Sequence, residues 1–202
     1  NTITATGLNA QTYNVTVTDS NGCIASASIL IQQANALVAV IGTPTNVSCN
    51  GLSDGAATVM VAGGIAPFTY LWNDAATQTT ATASSLVAGT YIVQVADSNN
   101  CLALDTVTIT EPQVLVVGLD SLKHVNCFGG SDGYIDINVT GGTFPYPTYT
   151  WTPNVSTGPT ANGLTQGNYD VVVTDNNGCT ATNSFVINEP LILSAVLDSI
   201  DA

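Results

Sequence analysis

The sequence predicts an all-β protein made of tandem immunoglobulin-like antiparallel β-sandwich repeats of 78 residues. Three observations predict this fold. Residue types recur at a spacing of 78, apolar and polar side chains alternate over short runs, and clusters of Gly, Asn and Ser separate those runs. No stretch keeps the 3.6-residue period of a helix. Roughly seven short strands per repeat, with turns between them, are typical of a β-sandwich.

The repeat is clearest at positions that recur three times. They are Leu8, Leu86 and Leu164; Tyr13, Tyr91 and Tyr169; Asp19, Asp97 and Asp175; and Cys23, Cys101 and Cys179. The Glu-Pro pair at 111–112 returns at 189–190, and Pro suits a junction because it is disfavoured inside a strand. We therefore predict complete repeats at residues 34–111 and 112–189, the carboxyl half of a repeat at 1–33, and the start of another at 190–202. The partial repeats at both ends predict that the sequence is a segment of a longer array of repeats.

Comparison of the two complete repeats indicates which strand faces are buried. Positions that stay apolar in both copies alternate with positions that become polar in one of them. The predicted inward sets are Ala57, Val59 and Val61; Ile135, Ile137 and Val139; Tyr91, Val93 and Val95; Tyr169, Val171 and Val173; Val107 and Ile109; and Phe185 and Ile187. Trp72 and Trp151 are predicted to lie in the core like the tryptophan of immunoglobulin domains, with stacking on a sugar ring as the alternative. The Leu-x-x-Gly-x-Tyr pattern ending at Tyr91 predicts a tyrosine corner.

The charge balance excludes several classes of function. Fourteen acids stand against one base, Lys123, which gives a formal net charge of −13. A nucleic-acid partner and a polybasic membrane-surface site both need clustered Lys and Arg, so both are excluded. No apolar run approaches the roughly 20 residues of a membrane span, and no signal peptide is evident. One His and no visible catalytic dyad predict a protein that is not an enzyme and has no catalytic residues.

The five cysteines are explained by the phase of the repeat. Cys49 and Cys101 fall in one complete repeat, Cys127 and Cys179 fall in the next, and each pair is 52 residues apart. We predict the disulfides Cys49–Cys101 and Cys127–Cys179, with buried free thiols as the alternative. Each would stabilise a repeat by about 4 kcal/mol and would place the chain outside a reducing cytosol. The spacing does not fit a zinc site, because no Cys-x-x-Cys is present.

Most of the acids stand at positions that recur. They are Asp19, Asp97 and Asp175; Asp54 and Asp132; Asp120 and Asp198; and Glu111 and Glu189. The sequences Asp-Ser-Asn-Asn-Cys at 97–101 and Asp-Asn-Asn-Gly-Cys at 175–179 are typical of turns in which the aspartate side chain accepts backbone hydrogen bonds. Calcium is the alternative, because hard cations prefer clustered oxygens, but the spacing is not that of an EF-hand. We predict no cofactor and keep calcium open.

In combination, these motifs resemble the SprB repeat. The resemblance rests on Cys-Asn-Gly at 49–51, Asp-Gly at 54–55, Gly-Gly at 63–64 and Pro-Phe-Thr-Tyr-Leu-Trp at 67–72, followed by Leu86, Gly-Thr-Tyr at 89–91, Asp97 and Cys101. The second complete repeat matches with Cys127, Asp-Gly at 132–133, Gly-Gly at 141–142, Trp151, Tyr169, Asp175 and Cys179. One departure is Asn100, where the pattern has Gly.

The resemblance implies a function outside the cell. Such repeats are typical of very large surface and secreted proteins of Bacteroidetes, whose namesake is a gliding adhesin exported by type IX secretion. It implies a non-enzymatic stalk or filament for adhesion or gliding. The implied partners are neighbouring repeats, identical chains in a filament and surface polysaccharide. The alternatives are an accessory array of a giant secreted enzyme and a self-assembling structural filament.

The resemblance also implies sites of modification. Bacteroidetes attach O-glycans to Ser or Thr between an Asp and an apolar residue. Three triplets fit that pattern, and they predict glycosylation at Thr106, Ser121 and Ser199.

Overall fold

The computed structural model describes residues 3–196 and contains fourteen β-strands and no helix in that range. The strands are β1 (Gln11–Thr18), β2 (Ile24–Ile31), β3 (Val38–Ile41), β4 (Gly55–Ala62), β5 (Thr69–Trp72), β6 (Thr82–Leu86), β7 (Gly89–Ala96), β8 (Leu102–Ile109), β9 (Val116–Lys123), β10 (Gly133–Thr140), β11 (Thr148–Thr152), β12 (Thr160–Leu164), β13 (Gly167–Thr174) and β14 (Thr180–Ile187). The fold is all-β, as predicted.

Strands β9–β14 form a sandwich of two three-stranded antiparallel sheets. The strand orders are β12-β10-β9 and β11-β13-β14. Both sheets contribute to one core, because side chains from β9, β10, β12, β13 and β14 bury together with Trp151. The Tyr169 hydroxyl donates to the Thr165 carbonyl at 3.0 Å, which is the hydrogen bond of a tyrosine corner. These features make the repeat an immunoglobulin-like sandwich.

Strands β3–β8 repeat this arrangement, with sheets β3-β4-β6 and β5-β7-β8. The predicted inward faces are confirmed, because every member of the predicted sets is buried except Val61 and Val139, which are half-buried. Trp72 and Trp151 are also buried, at 1% and 2% exposure, and each indole N–H donates to a backbone carbonyl at 2.9 Å. Neither indole face is therefore open to a sugar. Strands β1 and β2 form an antiparallel hairpin.

The chain divides into two compact units whose limits differ from the repeat limits predicted above. The first unit comprises Asn1–Gly42, Thr58–Ala83 and Tyr91–Thr106, and the second comprises Thr43–Ala57, Ser84–Thr90 and Val107–Ala202. Cys23 and Cys101 belong to the first unit, whereas Cys49, Cys127 and Cys179 belong to the second. The repeat limits at 34–111 and 112–189 stay a prediction.

At the Gly-Gly pairs 63–64 and 141–142, the backbone passes very close to the backbone of a segment that precedes the first strand of a sheet. Gly141 has φ +72°, and a Cβ atom built on it would lie 1.8 Å from the Val114 carbonyl oxygen. Gly63 has φ +67° and a Cβ would lie 2.0 Å from the Ala36 carbonyl oxygen. Only glycine combines this left-handed conformation with so close an approach of backbone to backbone.

We expect Gly141→Ala to lower the free energy of unfolding by at least about 2 kcal/mol, because it adds both φ strain and a backbone clash. Urea denaturation measures the effect. Gly158→Ala is the matched control, since no heavy atom lies within 4 Å of its added Cβ, and it should change stability by less than about 0.5 kcal/mol. Equal effects of the two substitutions would contradict the steric explanation.

Candidate functional site

The structure contains one disulfide, Cys49–Cys179, whose Cα atoms are 5.7 Å apart and whose sequence separation is 130 residues. The predicted bridges Cys49–Cys101 and Cys127–Cys179 are wrong. Cys23, Cys101 and Cys127 are exposed free thiols. The physical reason is that the Cα atoms of Cys49 and Cys179 lie within the roughly 7 Å that a disulfide needs. Each cysteine can form only one bridge, so neither of them is left to bond Cys101 or Cys127. In the predicted repeat phase, the first cysteine of one repeat thus pairs with the second cysteine of the next.

An aspartate shapes the turn that carries Cys179. Asp175 is 2% exposed, and its Oδ1 accepts hydrogen bonds from the backbone N–H groups of Asn177 and Cys179, both at 2.9 Å. Its Oδ2 accepts from the Thr143 N–H at 2.7 Å. Gly178 takes φ +84° between them. The carboxylate therefore fixes the backbone on both sides of the turn. We call residues 175–180 the cysteine turn.

The same turn occurs at the two other copies. Asp97 Oδ1 accepts from the N–H of Asn99 and Cys101 at 2.9 and 2.8 Å, and Asp19 Oδ1 accepts from those of Asn21 and Cys23 at 2.9 and 2.8 Å. The turn interpretation of the recurring aspartates is confirmed. Asn100 adopts φ +61° where the other two copies have Gly, a conformation that Asn tolerates better than most residues.

A second pair of acids shapes the loop that carries Cys49. Asp54 Oδ1 accepts from the Ser48 N–H at 3.0 Å, and Glu111 Oε2 accepts from the Gly51 N–H at 2.7 Å. The hydrogen bonds from the Ser48 side chain and backbone hold the pKa of Asp54 below its ordinary value. The recurring Asp54 and Glu111 thus hold the two sides of the Cys49 loop.

The loop around Cys127 has the same construction. Asp132 Oδ1 accepts from the Asn126 N–H at 3.0 Å, and Glu189 Oε2 accepts from the Gly129 N–H at 2.7 Å. The Asn126 backbone hydrogen bond and then the hydrogen bond from Lys123 lower the pKa of Asp132. Lys123, the one base of the sequence, forms a salt bridge with Asp132 at 2.9 Å. The two cysteine loops are therefore equivalent in geometry.

Around the disulfide, the cysteine turn and the Cys49 loop also meet through polar contacts. Asn177 Nδ2 donates to the Ser48 carbonyl at 2.9 Å and lies 3.1 Å from Thr143 Oγ1. A groove of 330 Å³ adjoins the bridge and is lined by the Cys49 loop, the cysteine turn, Val114 and Leu115. We call this region of the second compact unit the cysteine junction.

Three contacts of the junction were not predicted from the sequence. They are the ones made by the Ser48 carbonyl, by the Thr143 N–H and by the Glu111 carboxylate, which accepts a hydrogen bond from the Cys49 loop. The Ser48 carbonyl and the Thr143 N–H act as backbone groups, and for those two contacts residue identity carries little signal. The recurrence of Glu-Pro at 189–190 indicates that Glu111 has a role, but the prediction from the sequence attributed the recurrence to the proline alone.

His124 accepts the Asn188 N–H at its Nδ1, as Asn46 Oδ1 accepts the Thr110 N–H one repeat earlier.

The hydrogen bonds of Asp97 predict a dependence of stability on pH. Burial raises the pKa of Asp97, but backbone hydrogen bonds from Cys101, Ile65 and Asn99 outweigh it, so the pKa lies below the ordinary 3.8. A carboxyl with a lowered folded pKa stabilises the fold above its unfolded pKa and loses that contribution as pH falls through the folded value. We expect the free energy of unfolding to fall below about pH 4, and to fall less steeply in Asp97→Asn. An unchanged slope in thermal unfolding from pH 5 to 2 would contradict this.

No metal site is evident in the part of the chain that the structure describes. No group of three or more His, Cys, Asp or Glu side chains there could hold an ion. The carboxylate oxygens of Asp97 and Asp175 accept backbone hydrogen bonds, and calcium binding stays an untested alternative. Within residues 3–196 no helix has the length and apolar character needed to cross a bilayer.

The predicted glycosylation sites lie on two strands. Thr106 is exposed on β8 and Ser121 is exposed on β9. Ser199 lies outside the described residues. Glycosylation stays a prediction: glycopeptide analysis of protein from the source cell should find O-glycan at Thr106 and Ser121, and unmodified peptides at both would reject it.

Comparison with known proteins identifies the repeat. The family model described as the SprB repeat matches residues 41–77 and 120–156. No curated protein matches the sequence. Among solved structures, the chain is similar to the N-terminal eight Ig domains of Down Syndrome Cell Adhesion Molecule, at 14% identity and a TM-score of 0.38 over 91% of this chain and 28% of that one.

Two further structures are described as adhesion proteins or fragments bound to a receptor. One is the C-terminal 282-residue fragment of intimin in complex with the intimin-binding domain of its translocated receptor, at 15% identity, a TM-score of 0.31, and coverage of 87% of this chain and 57% of that one. The other is a tetra-tandem repeat from the extending region of a large adhesion protein, at 16% identity, a TM-score of 0.27, and coverage of 91% and 58%. The chain thus spans between about a quarter and three fifths of these structures. All three TM-scores lie below 0.5, so the fold assignment rests on the strand topology. The SprB repeat model matches two segments of the chain, so the chain contains two stretches that are similar to this repeat family.

Proposed function

We propose that this chain is a non-enzymatic, force-bearing segment of a large bacterial cell-surface protein that serves adhesion or gliding motility. One observation carries the proposal: the Cys49–Cys179 disulfide joins the Cys49 loop to the cysteine turn, and these two segments fall in consecutive repeats of the predicted phase. A bridge between consecutive repeats is covalent reinforcement along the array, which a stalk under tension requires. The family match supports the surface location, and disulfides persist in oxidising, extracellular surroundings.

The placement of the bridge determines how the chain would respond to force. Tension applied at the ends passes through the disulfide, so the residues between Cys49 and Cys179 carry none of it. Most of the two complete repeats is therefore protected from unfolding under load. The small number of charged residues fits this role as well, because only 7% of residues are charged and the single base can form few ion pairs that would depend on salt.

Single-molecule pulling tests the mechanical part. When the chain is pulled from its ends, we expect the 130-residue segment to stay closed, and a reducing agent to release about 430–470 Å of additional contour length. Cys49→Ser should release that length without reductant, and Cys101→Ser should behave as the parent chain. Full extension of the oxidised parent chain would contradict the load-bearing proposal.

The cellular part is tested in the source bacterium. We expect protease added to intact cells to remove this segment, and deletion of residues 34–189 in frame to reduce surface attachment or gliding speed. A deletion strain that attaches and glides like its parent, with the rest of the protein still displayed, would contradict the proposed role. Surface polysaccharide is the proposed ligand class, and attachment to polysaccharide-coated glass tests it in the same strains.

A further inference from the structure

Cys127 stands beside an uncovered apolar groove. The groove measures 590 Å³ and is lined by the Cys127 loop, including Phe128, and by residues 190–193. Leu191 and Leu193 are 94% and 96% exposed, and Phe128 is 55% exposed. Three large apolar side chains around an exposed thiol form a surface that water solvates poorly.

The equivalent surface one repeat earlier adjoins a cysteine turn, and the groove there measures 330 Å³ against 590 Å³ beside Cys127. Subtracting 78 from Cys127 gives Cys49, and subtracting 78 from Leu193 gives Leu115, which is half-buried. There the cysteine turn lies against the loop, Asn177 donates to the Ser48 carbonyl, and Cys179 completes the disulfide. The occupant of this kind of groove is therefore visible in the chain itself.

The Cys127 loop already has the conformation that receives such a turn. The Gly129 N–H donates to Glu189 at 2.7 Å, as the Gly51 N–H donates to Glu111 at 2.7 Å. The Gly130 N–H donates to the Cys127 carbonyl at 2.9 Å, as the Leu52 N–H donates to the Cys49 carbonyl at 3.1 Å. The loop needs no rearrangement before it binds.

We infer that the Cys127 groove binds the cysteine turn of a further SprB repeat and forms with it the disulfide seen at Cys49–Cys179. This inference rests on the proposed function, in which such bridges couple successive repeats. It gives each cysteine of the repeat one of two roles. A loop cysteine, such as Cys49, lies in the loop that receives a cysteine turn, and a turn cysteine, such as Cys179, lies in the turn that is received. Cys127 is a loop cysteine, Cys23 and Cys101 are turn cysteines, and all three are exposed free thiols in the described residues.

A turn of the required form is present and accessible in this chain. Asp19 arranges Asn21 and Cys23 as Asp175 arranges Asn177 and Cys179, and Cys23 is exposed. The charge of Asp97 raises the pKa of the Cys101 thiol, which lowers its thiolate fraction. A second copy of this chain can therefore supply the turn through Cys23 in a test.

The bond forms by thiol–disulfide exchange with oxidised glutathione as the oxidant. Cys23 first exchanges with oxidised glutathione to give a mixed disulfide and one glutathione thiol. The Cys127 thiolate, its proton lost to solvent, then attacks the Cys23 sulfur and displaces the second glutathione. Two cysteine thiols are oxidised and one glutathione disulfide is reduced to two thiols.

The experiment uses the full chain carrying Cys101→Ser, so that Cys23 and Cys127 are its two free thiols. After incubation with oxidised glutathione, peptide mapping counts the three kinds of linked dimer. Random pairing of two exposed thiols would make about half of them Cys23–Cys127. We expect Cys23–Cys127 to exceed each symmetric dimer by about tenfold or more, because the groove selects the turn.

Substitutions in the groove test whether docking of the cysteine turn, and not merely the exposure of the two thiols, selects the Cys23–Cys127 bond. Leu191→Gln with Leu193→Gln should return the dimers to random proportions, whereas Val196→Gln, at a residue that is 86% exposed and outside the groove, should keep the tenfold preference. Random proportions in the parent, or a preference that survives the double substitution, would overturn the inference. The pulling experiment depends on Cys49–Cys179 alone, so failure of the proposed function would be recognised separately.

Discussion

Replacing Cys49 and Cys179 together by serine should lower the free energy of unfolding by about 2–5 kcal/mol, one of the two largest effects expected for this chain. In the chain-entropy model a bridge restricts the unfolded chain more as the closed loop lengthens, and this loop spans 130 residues. Replacing both cysteines avoids leaving a reactive free thiol at the junction. Urea denaturation of the oxidised proteins, followed by circular dichroism, measures the change.

The matched control is Cys101→Ser combined with Cys127→Ser. These two cysteines occupy the same sequence positions within the repeat, but they are exposed and form no bond in the described residues. We expect this variant to unfold within about 0.5 kcal/mol of the parent. An equal loss of stability in this variant and in the Cys49→Ser, Cys179→Ser variant would mean that the disulfides are Cys49–Cys101 and Cys127–Cys179. The Cys49–Cys179 bridge would then be absent.

Trp151→Ala should lower the free energy of unfolding by about 3–5 kcal/mol. The side chain is 2% exposed, it packs in one core with Tyr169 and Phe185, and its indole N–H donates to the Gly158 carbonyl at 2.9 Å. Truncation would leave a cavity between the two sheets and one carbonyl without its donor. The measurement is the urea midpoint and slope of the variant.

Phe144→Ala is the control for removing an aromatic ring. Phe144 is 79% exposed and meets only the edge of Tyr146 among the ring contacts of the described residues. We expect a loss below about 1 kcal/mol. Similar losses at the two positions would mean that Trp151 does not hold the sheets together.

The fold could be predicted from the sequence because its signals are local and repeated. Inward residues such as Val93 and Val171 alternate along their strands, and comparison of two copies removes the ambiguity of either alone. The aspartate turns could be predicted for the same reason, since Asp97 and Cys101 are only four residues apart and the hydrogen bond between them is local.

The Cys49–Cys179 disulfide could not be predicted from the sequence, because two different pairings of the cysteines are equally consistent with the 78-residue repeat. Joining Cys49 to Cys101 and joining it to Cys179 both respect the period, and they differ only in which turn lies beside the Cys49 loop. That choice depends on tertiary contacts such as Asn177 to the Ser48 carbonyl, which leave no mark on local sequence. Small domains with modest cores make an intra-repeat bridge the natural expectation, and here that expectation is wrong.

A single proteolytic cut tests the junction most directly, because Lys123 is the only Lys or Arg in the chain. Alkylated, unreduced protein is denatured and cleaved after Lys123, which separates Cys23, Cys49 and Cys101 from Cys127 and Cys179. With the Cys49–Cys179 bridge, the two fragments should remain one covalent species by mass and separate only after reduction. Fragments that separate without a reducing agent, each carrying its own internal disulfide, would contradict the account.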